Sequence, residues 1–127
     1  MDVVFPTSRD IYIEVNGKKL AVVEGYKAYS KRDSIYIEAF GESEPVGTVA
    51  GKTKHYVELS RVYASDEALK DGISFYDLSG FNLVVVKPDK KIIYSGCEWS
   101  NISESAGIND TVIEGVSLIA SHRMEIS

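Results

Sequence analysis

The chain has 127 residues, of which 44% are hydrophobic and 26% charged, with a net charge of −5. This composition is typical of one soluble globular domain, assigned here to 1–127, and excludes a disordered chain. The acidic balance and the lack of a basic run disfavour tight nucleic-acid binding, which needs cations clustered against phosphates.

The N-terminal MDVVFPTSRD lacks the basic start and long apolar core of a signal peptide, and no apolar run is long enough to span a bilayer. The single cysteine, Cys97, excludes an internal disulfide and suits a reducing compartment. We therefore expect synthesis in the cytoplasm and no membrane partner.

A β-hairpin is the first predicted element. DIYIEV alternates apolar and polar residues as a half-buried strand does. Asn16-Gly17 follows, and both residue types tolerate the positive φ angles of a tight hairpin turn. KKLAVVEGY then predicts the returning strand.

The next elements are a strand and a polar segment. SIYIEAF predicts a third strand, with Ile35, Ile37 and Ala39 on one face. The residues that follow, 41–54, include three glycines and Pro45 and carry no reactive group. No Lys-Ser or Lys-Thr pair stands at a helix start, so we interpret 41–54 as an extended, mobile arm rather than a phosphate-binding loop.

HYVELSRVY predicts a fourth strand in which the apolar face changes. Val57 and Leu59 share one face, whereas Val62 lies on the other. We expect a bulge or twist near Ser60 and Arg61 to bring the three side chains to the same side.

SDEALKDG, residues 65–72, is the one predicted helix. Ser65 can cap its start, acidic residues follow the cap, and Gly72 can end it. Its two turns need support from the rest of the fold.

The C-terminal half predicts a second hairpin and a long closing strand. FNLVVVK and KIIYSGCEW are joined across Pro88-Asp89, a common turn pair. The closing strand, roughly Thr111 to Ile126, is apolar on both faces, with Val116 on one and Ile119 on the other. Such a strand is central or covered by a partner. The predicted fold class is mainly β: an antiparallel β-sandwich or barrel with one short flanking α-helix.

Candidate catalytic groups are scattered along the chain. His55, His122 and Cys97 lie on three different predicted strands, with no spacing that brings a nucleophile to a base. Glu42 and Glu44 lack the ligand spacing of a cation loop and fit a solvated loop better. We therefore predict no catalytic, cofactor-binding or metal-binding residue, no cofactor, and no enzyme activity.

The order of elements, the segment KHYVELSRVY and the turn from Tyr94 through Cys97 into Glu98 resemble the tail tube proteins of contractile phage tails and phage-tail-like bacteriocins. The chain is similar in outline to the tube protein of type VI secretion. The resemblance covers nearly the whole chain. It implies a structural protein of a virion or phage-tail-like particle, made in the bacterial cytoplasm.

The resemblance also implies an assembly. Members form hexameric rings that stack around a lumen through which DNA can pass, and a long loop reaches the neighbouring ring. The implied partners are further copies of the chain, a sheath and a baseplate. The candidate contacts in the arm and the closing strand are Gly41, Glu42, Glu44, Pro45, Val46, Gly47, Thr48, Val49, Gly51, Lys52, Lys54, Val116 and Ile119.

Two alternatives remain open from the sequence. The chain fits a small β-sandwich that binds a ligand between its loops, and it also fits a baseplate-proximal or tube-capping component of the same kind of particle. The molecular mass in solution separates the assembling proteins from the binding module.

Overall fold

The computed structural model describes residues 11–65, 68, 71–106 and 111–127. Within these ranges the fold is almost entirely antiparallel β-structure. The strands are β1 (Ile11–Val15), β2 (Lys18–Arg32), β3 (Ile35–Ile37), β4 (Gly47–Val49), β5 (Thr53–Ala64), β6 (Phe81–Val86), β7 (Lys91–Ala106), β8 (Thr111–Ala120) and β9 (His122–Ile126).

Seven strands form one sheet in the order β6-β1-β2-β5-β8-β7-β9. β6 also pairs with β7, so six of these strands form a closed circuit of hydrogen-bonded neighbours, and β9 extends β7 outside that circuit. β3 and β4 form a separate two-stranded sheet. The predicted mainly β, antiparallel class is thus confirmed.

The hairpin signals in the sequence are confirmed by the backbone. Asn16 and Gly17 have φ angles of 52° and 79°, and Val15 pairs with Lys18 across a two-residue turn. The β6–β7 hairpin pairs Val86 with Lys91 around the Pro88-Asp89 turn.

The hydrophobic core lies inside the closed sheet. Its fully buried side chains come from every strand of the circuit. They include Phe81, Ile13, Leu83, Leu118, Val23, Val57, Val116 and Cys97. Phe75, in a 3-10 turn at Phe75–Asp77, packs edge-on against Phe81 with ring centres 5.8 Å apart. This turn covers one end of the core.

The change of apolar face in β5 is a twist. Val57, Leu59 and Val62 are all buried, and the reversal falls at Arg61, which has a φ of 53°. The pairing of β5 with β2 and with β8 keeps one register through this point, so there is no bulge. Gly25 faces Ser60 here, where a Cβ would stand 2.8 Å from the serine Oγ.

The closing strand is broken at Ser121 rather than continuous. Before the break β8 pairs with β5 and β7, and after it β9 pairs with β7. Gly96 permits the break, since its φ is 62° and a Cβ there would overlap the Ser121 Oγ. Ser121 in turn donates from its N–H to the Ser95 carbonyl at 3.0 Å.

Four of the eight residues of the predicted helix over 65–72 lie outside the described residues. Ser65 Oγ accepts a hydrogen bond from the Ala68 N–H at 3.1 Å, the contact expected of a helix cap. Among the described residues the one complete helical element is the 3-10 turn, so a flanking α-helix is not shown. No helix in the described part of the chain is long and apolar enough to cross a membrane.

Candidate assembly surface

A two-stranded ribbon, residues 33–52, continues the β2–β5 hairpin beyond the seven-stranded sheet. The β2–β5 pairing runs to Arg32 opposite Thr53, and the Asp33 N–H donates to the Lys52 carbonyl at 3.4 Å. β3 then pairs with β4, which leaves 38–46 as the tip. At Gly51 the two backbones approach so closely that a Cβ would overlap the Asp33 carbonyl oxygen.

The ribbon exposes a large apolar surface. Ile35 is 63% exposed, Tyr36 is 68% exposed, and Phe40 at the tip is fully exposed. Val46 and Val49 are also exposed. So many exposed apolar side chains on one projecting element indicate an interaction site, because a soluble monomer gains nothing from leaving them in water.

This exposure corrects the sequence-based prediction for SIYIEAF. The strand is limited to Ile35–Ile37 and none of its residues is buried. The alternation is real, but both faces of a two-stranded ribbon meet solvent. The apolar residues of this strand therefore belong to the projecting surface, and the expected pattern of a half-buried strand does not hold.

The ribbon contains the predicted contact residues of the arm. Gly47, Thr48 and Val49 are β4, and Gly41 adopts a φ of 86° in the tip. The others in the tip and at the base are Glu42, Glu44, Pro45, Val46, Gly51, Lys52 and Lys54. Part of 41–54 is thus paired strand, and its mobility stays a prediction.

An ion pair joins the two strands at the base of the ribbon. Lys54 Nζ lies 3.1 Å from Asp33 Oδ2, with both side chains about half exposed. The hydrogen bond from Lys54 holds the pKa of the Asp33 carboxyl below its ordinary value. The pair contributes little to stability at such exposure.

The two candidate residues of the closing strand have different environments. Val116 is 2% exposed and packs inside the sheet opposite Leu59, so its side chain belongs to the core and not to a contact surface. Ile119 is 47% exposed on the outer face. Only Ile119 is available to a partner.

Ile119 is one end of an apolar stripe on the outer face. It pairs with Tyr56, which pairs with Tyr29 on the next strand. The rings of Tyr29 and Tyr56 stack with centres 4.9 Å apart. This outer stripe, Tyr29, Tyr56 and Ile119, crosses three strands and ends close to the ribbon.

A cleft of about 520 Å³ opens at the base of the ribbon, between the second half of β2 and the β6–β7 hairpin. We call it the basic cleft. Its wall includes Tyr26, Tyr29, Lys87, Lys90, Tyr94 and Arg123.

Cations and tyrosine rings alternate in the basic cleft. Lys87 Nζ lies 5.9 Å from the centre of the Tyr26 ring, and the Arg123 guanidinium lies 6.0 Å from that of Tyr94. Glu125 offsets part of the charge, accepting from Arg123 at 2.6 Å and from Lys90 at 3.4 Å. Three cations line the cleft against two nearby carboxylates, Glu125 and Asp89 in the β6–β7 turn, and leave it positive in a chain whose net charge is −5.

The basic cleft was not predicted from the sequence. Its residues come from β2, the β6–β7 turn, β7 and β9, and only the fold brings them together. The one local signal is the turn from Lys87 to Lys91, KPDKK, which carries three lysines around Pro88-Asp89.

The candidate catalytic groups occupy separate environments. Cys97 is buried in the core, where burial raises the pKa of its thiol to about 12, so it is not a thiolate at neutral pH. His55 Nδ1 lies 2.7 Å from Ser30 Oγ, and burial lowers the pKa of the ring. His122 is exposed on β9. Among the described residues no group of three or more His, Cys, Asp or Glu side chains is placed to hold a metal ion.

Three solved structures share this fold over nearly their whole length. A chain in the virion of the native gene transfer agent particle matches with a TM-score of 0.62 and 11% identity, covering 95% of this chain and 98% of that one. The anti-feeding prophage cap, a tube-terminating cap, matches with a TM-score of 0.55 and 12% identity, covering 100% and 95%.

The third structure is an extracellular contractile injection system, the PVC sheath-tube complex in its extended state. It matches with a TM-score of 0.53 and 14% identity, covering 98% of this chain and 94% of that one. No protein-family model matches the chain, and no curated protein matches it in sequence. The fold is therefore that of components of phage-tail-like particles, as the resemblance in the sequence predicted.

Proposed function

We propose that this protein is a structural subunit of the tube of a phage-tail-like particle. The observation that carries the proposal is the ribbon: 33–52 extends from a closed β-sheet and exposes Ile35, Tyr36 and Phe40 to solvent. A projecting ribbon with apolar side chains and no reactive group has a physical use when it is buried on a neighbour. The shared fold with components of a gene transfer agent virion and of a contractile injection system supports this reading.

In this proposal the subunits form hexameric rings that stack around a lumen. The closed sheet acts as a barrel, the ribbon makes the contact between subunits, and the outer stripe with Ile119 lies against a second neighbour. A negative chain suits a conduit, because like charge keeps a nucleic acid from adhering to the wall. Sheath and baseplate proteins are the further partners, and no enzyme activity or cofactor is assigned.

A tube-terminating cap is the second candidate. The anti-feeding prophage cap covers 100% of this chain with a TM-score of 0.55, which is a specific observation in its favour. A cap closes one end of a tube, so it forms one ring and stops, whereas a tube subunit adds rings without limit.

Sedimentation velocity of the purified protein across a concentration series tests both candidates. A tube subunit gives species that grow with concentration, and a cap gives one ring of fixed size. A species that stays at the 14.0 kDa mass of the chain at every concentration would contradict both and favour a ligand-binding module.

A further inference from the structure

We propose that the ribbon tip of one subunit docks in the basic cleft of a second copy of the same chain. The inference rests on the proposed function, since it names the receiving site for the ribbon. The ribbon tip and the basic cleft lie on the same molecule, and their charges and apolar groups are complementary.

The charges of the two surfaces are complementary. The tip carries Glu38, Glu42 and Glu44, all exposed, and no lysine or arginine occurs from Ile35 to Gly51. The basic cleft presents three cations, Lys87 and Lys90 from the β6–β7 turn and Arg123 from β9. An acidic segment beside a positive concavity gives both attraction on approach and a preferred orientation.

The apolar groups also match. Phe40 is fully exposed at the centre of the tip, with Val46 beside it in the ribbon, 60% exposed. Tyr26 and Tyr29 line the cleft and give its wall an aromatic surface, although Tyr29 also stacks on Tyr56 and Tyr26 also faces Lys87. An aromatic anchor surrounded by charge pairs is the usual composition of a strong contact between proteins.

A subunit does not fill its own cleft. The ribbon is held straight by the β3–β4 pairing, and its tip is exposed in the single chain. Extended strand rises about 3.3 Å per residue, so the five residues from Arg32 to the end of β3 at Ile37 carry the start of the tip up to roughly 16 Å from the base where the cleft opens. The tip can therefore reach a neighbouring molecule, which in turn presents its own tip to the next.

Such a contact is head to tail, because tip and cleft are different surfaces. Contacts of this kind close into rings or continue into filaments, unless two subunits exchange tips reciprocally and close as a dimer. The cleft thus has one proposed occupant, the ribbon tip of a second copy of this chain, and the same contact repeats from one subunit to the next.

A charge-swap experiment tests the contact in the full chain. The tip variant carries Glu42→Lys and Glu44→Lys, and the cleft variant carries Lys87→Glu and Lys90→Glu. Each alone is expected to assemble roughly tenfold less well or worse, because like charges then face each other. An equal mixture of the two is expected to assemble again, since each tip meets a cleft of opposite charge.

A charge-matched control separates this effect from net charge. Lys19→Glu with Lys27→Glu makes the same change in charge as the cleft variant, and neither side chain lines the cleft. The new carboxylates face Glu14 and Glu58 across the strand pairs, so urea unfolding checks that this control keeps its fold. The control is expected to keep assembly at the wild-type level. Normal assembly of the tip variant and the cleft variant would overturn the docking while leaving the tube proposal intact, and so would failure of the mixture to recover.

Disulfide trapping detects the contact between tip and cleft even when no tube forms. One chain carries Ser43→Cys at the tip and the other Lys90→Cys at the cleft, and the mixture is oxidised. The native Cys97 is buried and does not compete. We expect this mixture to give several times more mixed disulfide dimers than a mixture of Ser43→Cys with Lys19→Cys, even if tubes fail to form. Equal yields with both partners would overturn the docking.

Discussion

Lysine substitutions at Val116 and Ile119 test which face of β8 is covered by the subunit and which by a partner. The two residues lie three positions apart on one strand. Val116 is 2% exposed opposite Leu59, and Ile119 is 47% exposed opposite Tyr56. The same chemical change therefore enters two different environments.

Val116→Lys should remove most of the free energy of unfolding of the subunit. Removing a fully buried valine loses about 1.5–3 kcal/mol of transfer free energy. An ammonium group that remains in the core without a partner adds several kcal/mol more. The sum, about 5 kcal/mol or more, is comparable to the whole free energy of unfolding of a small domain, about 5–15 kcal/mol.

Ile119→Lys should leave the subunit folded. Its side chain is already half exposed, so the loss in the free energy of unfolding is about 1 kcal/mol or less. Against a partner the same charge would be buried, and assembly should weaken by roughly a hundredfold. Urea unfolding followed by circular dichroism gives the first quantity, and sedimentation velocity the second.

Two results would refute this reasoning. If Ile119→Lys lowered the free energy of unfolding as much as Val116→Lys, the outer face would be part of the core. If Ile119→Lys left both stability and assembly unchanged, the outer stripe would be ordinary surface and not a contact.

Three further predictions concern single positions. Gly51→Ala should force the ribbon away from the Asp33 carbonyl and speed proteolysis of the ribbon, without lowering the urea midpoint of the core. Gly41→Ala has open space around it and should lower the free energy of unfolding by only about 1 kcal/mol. Arg61→Val should lower the free energy of unfolding by about 1–2 kcal/mol, because a β-branched residue disfavours the φ of 53°, while Arg61→Gly should be nearly neutral. Cys97 should resist alkylation at pH 8 in the folded chain and react at the rate of a free thiol in urea, since its folded pKa is raised to about 12; rapid labelling of folded protein would contradict its burial.

The same shift of Cys97 predicts a loss of stability in alkaline solution. The thiol has an ordinary pKa of 9.0 and a folded pKa of about 12. Between these values the unfolded state loses the proton first, so the contribution of the thiol to stability is complete below pH 9 and falls as the pH rises. Cys97→Ala should remove this part of the alkaline dependence, and identical pH profiles of the two proteins would contradict the assignment.

The local signals in the sequence predicted the hairpins because turns are determined by short-range sterics. Asn16-Gly17 and Pro88-Asp89 stand where the chain reverses. The conflict between the apolar faces of Val57 and Val62 likewise predicted the twist at Arg61. Each of these inferences needs only a few neighbouring residues.

The features that the sequence did not predict depend on distant parts of the chain. The alternation in SIYIEAF is the same for a core strand and for a ribbon in solvent, because the pattern does not say what lies above it. The break at Ser121 depends on Gly96, which lies on another strand. The basic cleft needs several elements brought together, so no stretch of sequence contains it.

Cryo-electron microscopy of the concentrated protein tests the central claim most directly, because it shows both the assembly and the position of the ribbon. We expect hollow tubes or stacked rings in which residues 33–52 of each subunit lie against another subunit. Isolated subunits at high concentration, or rings whose ribbons project freely into solvent, would contradict it.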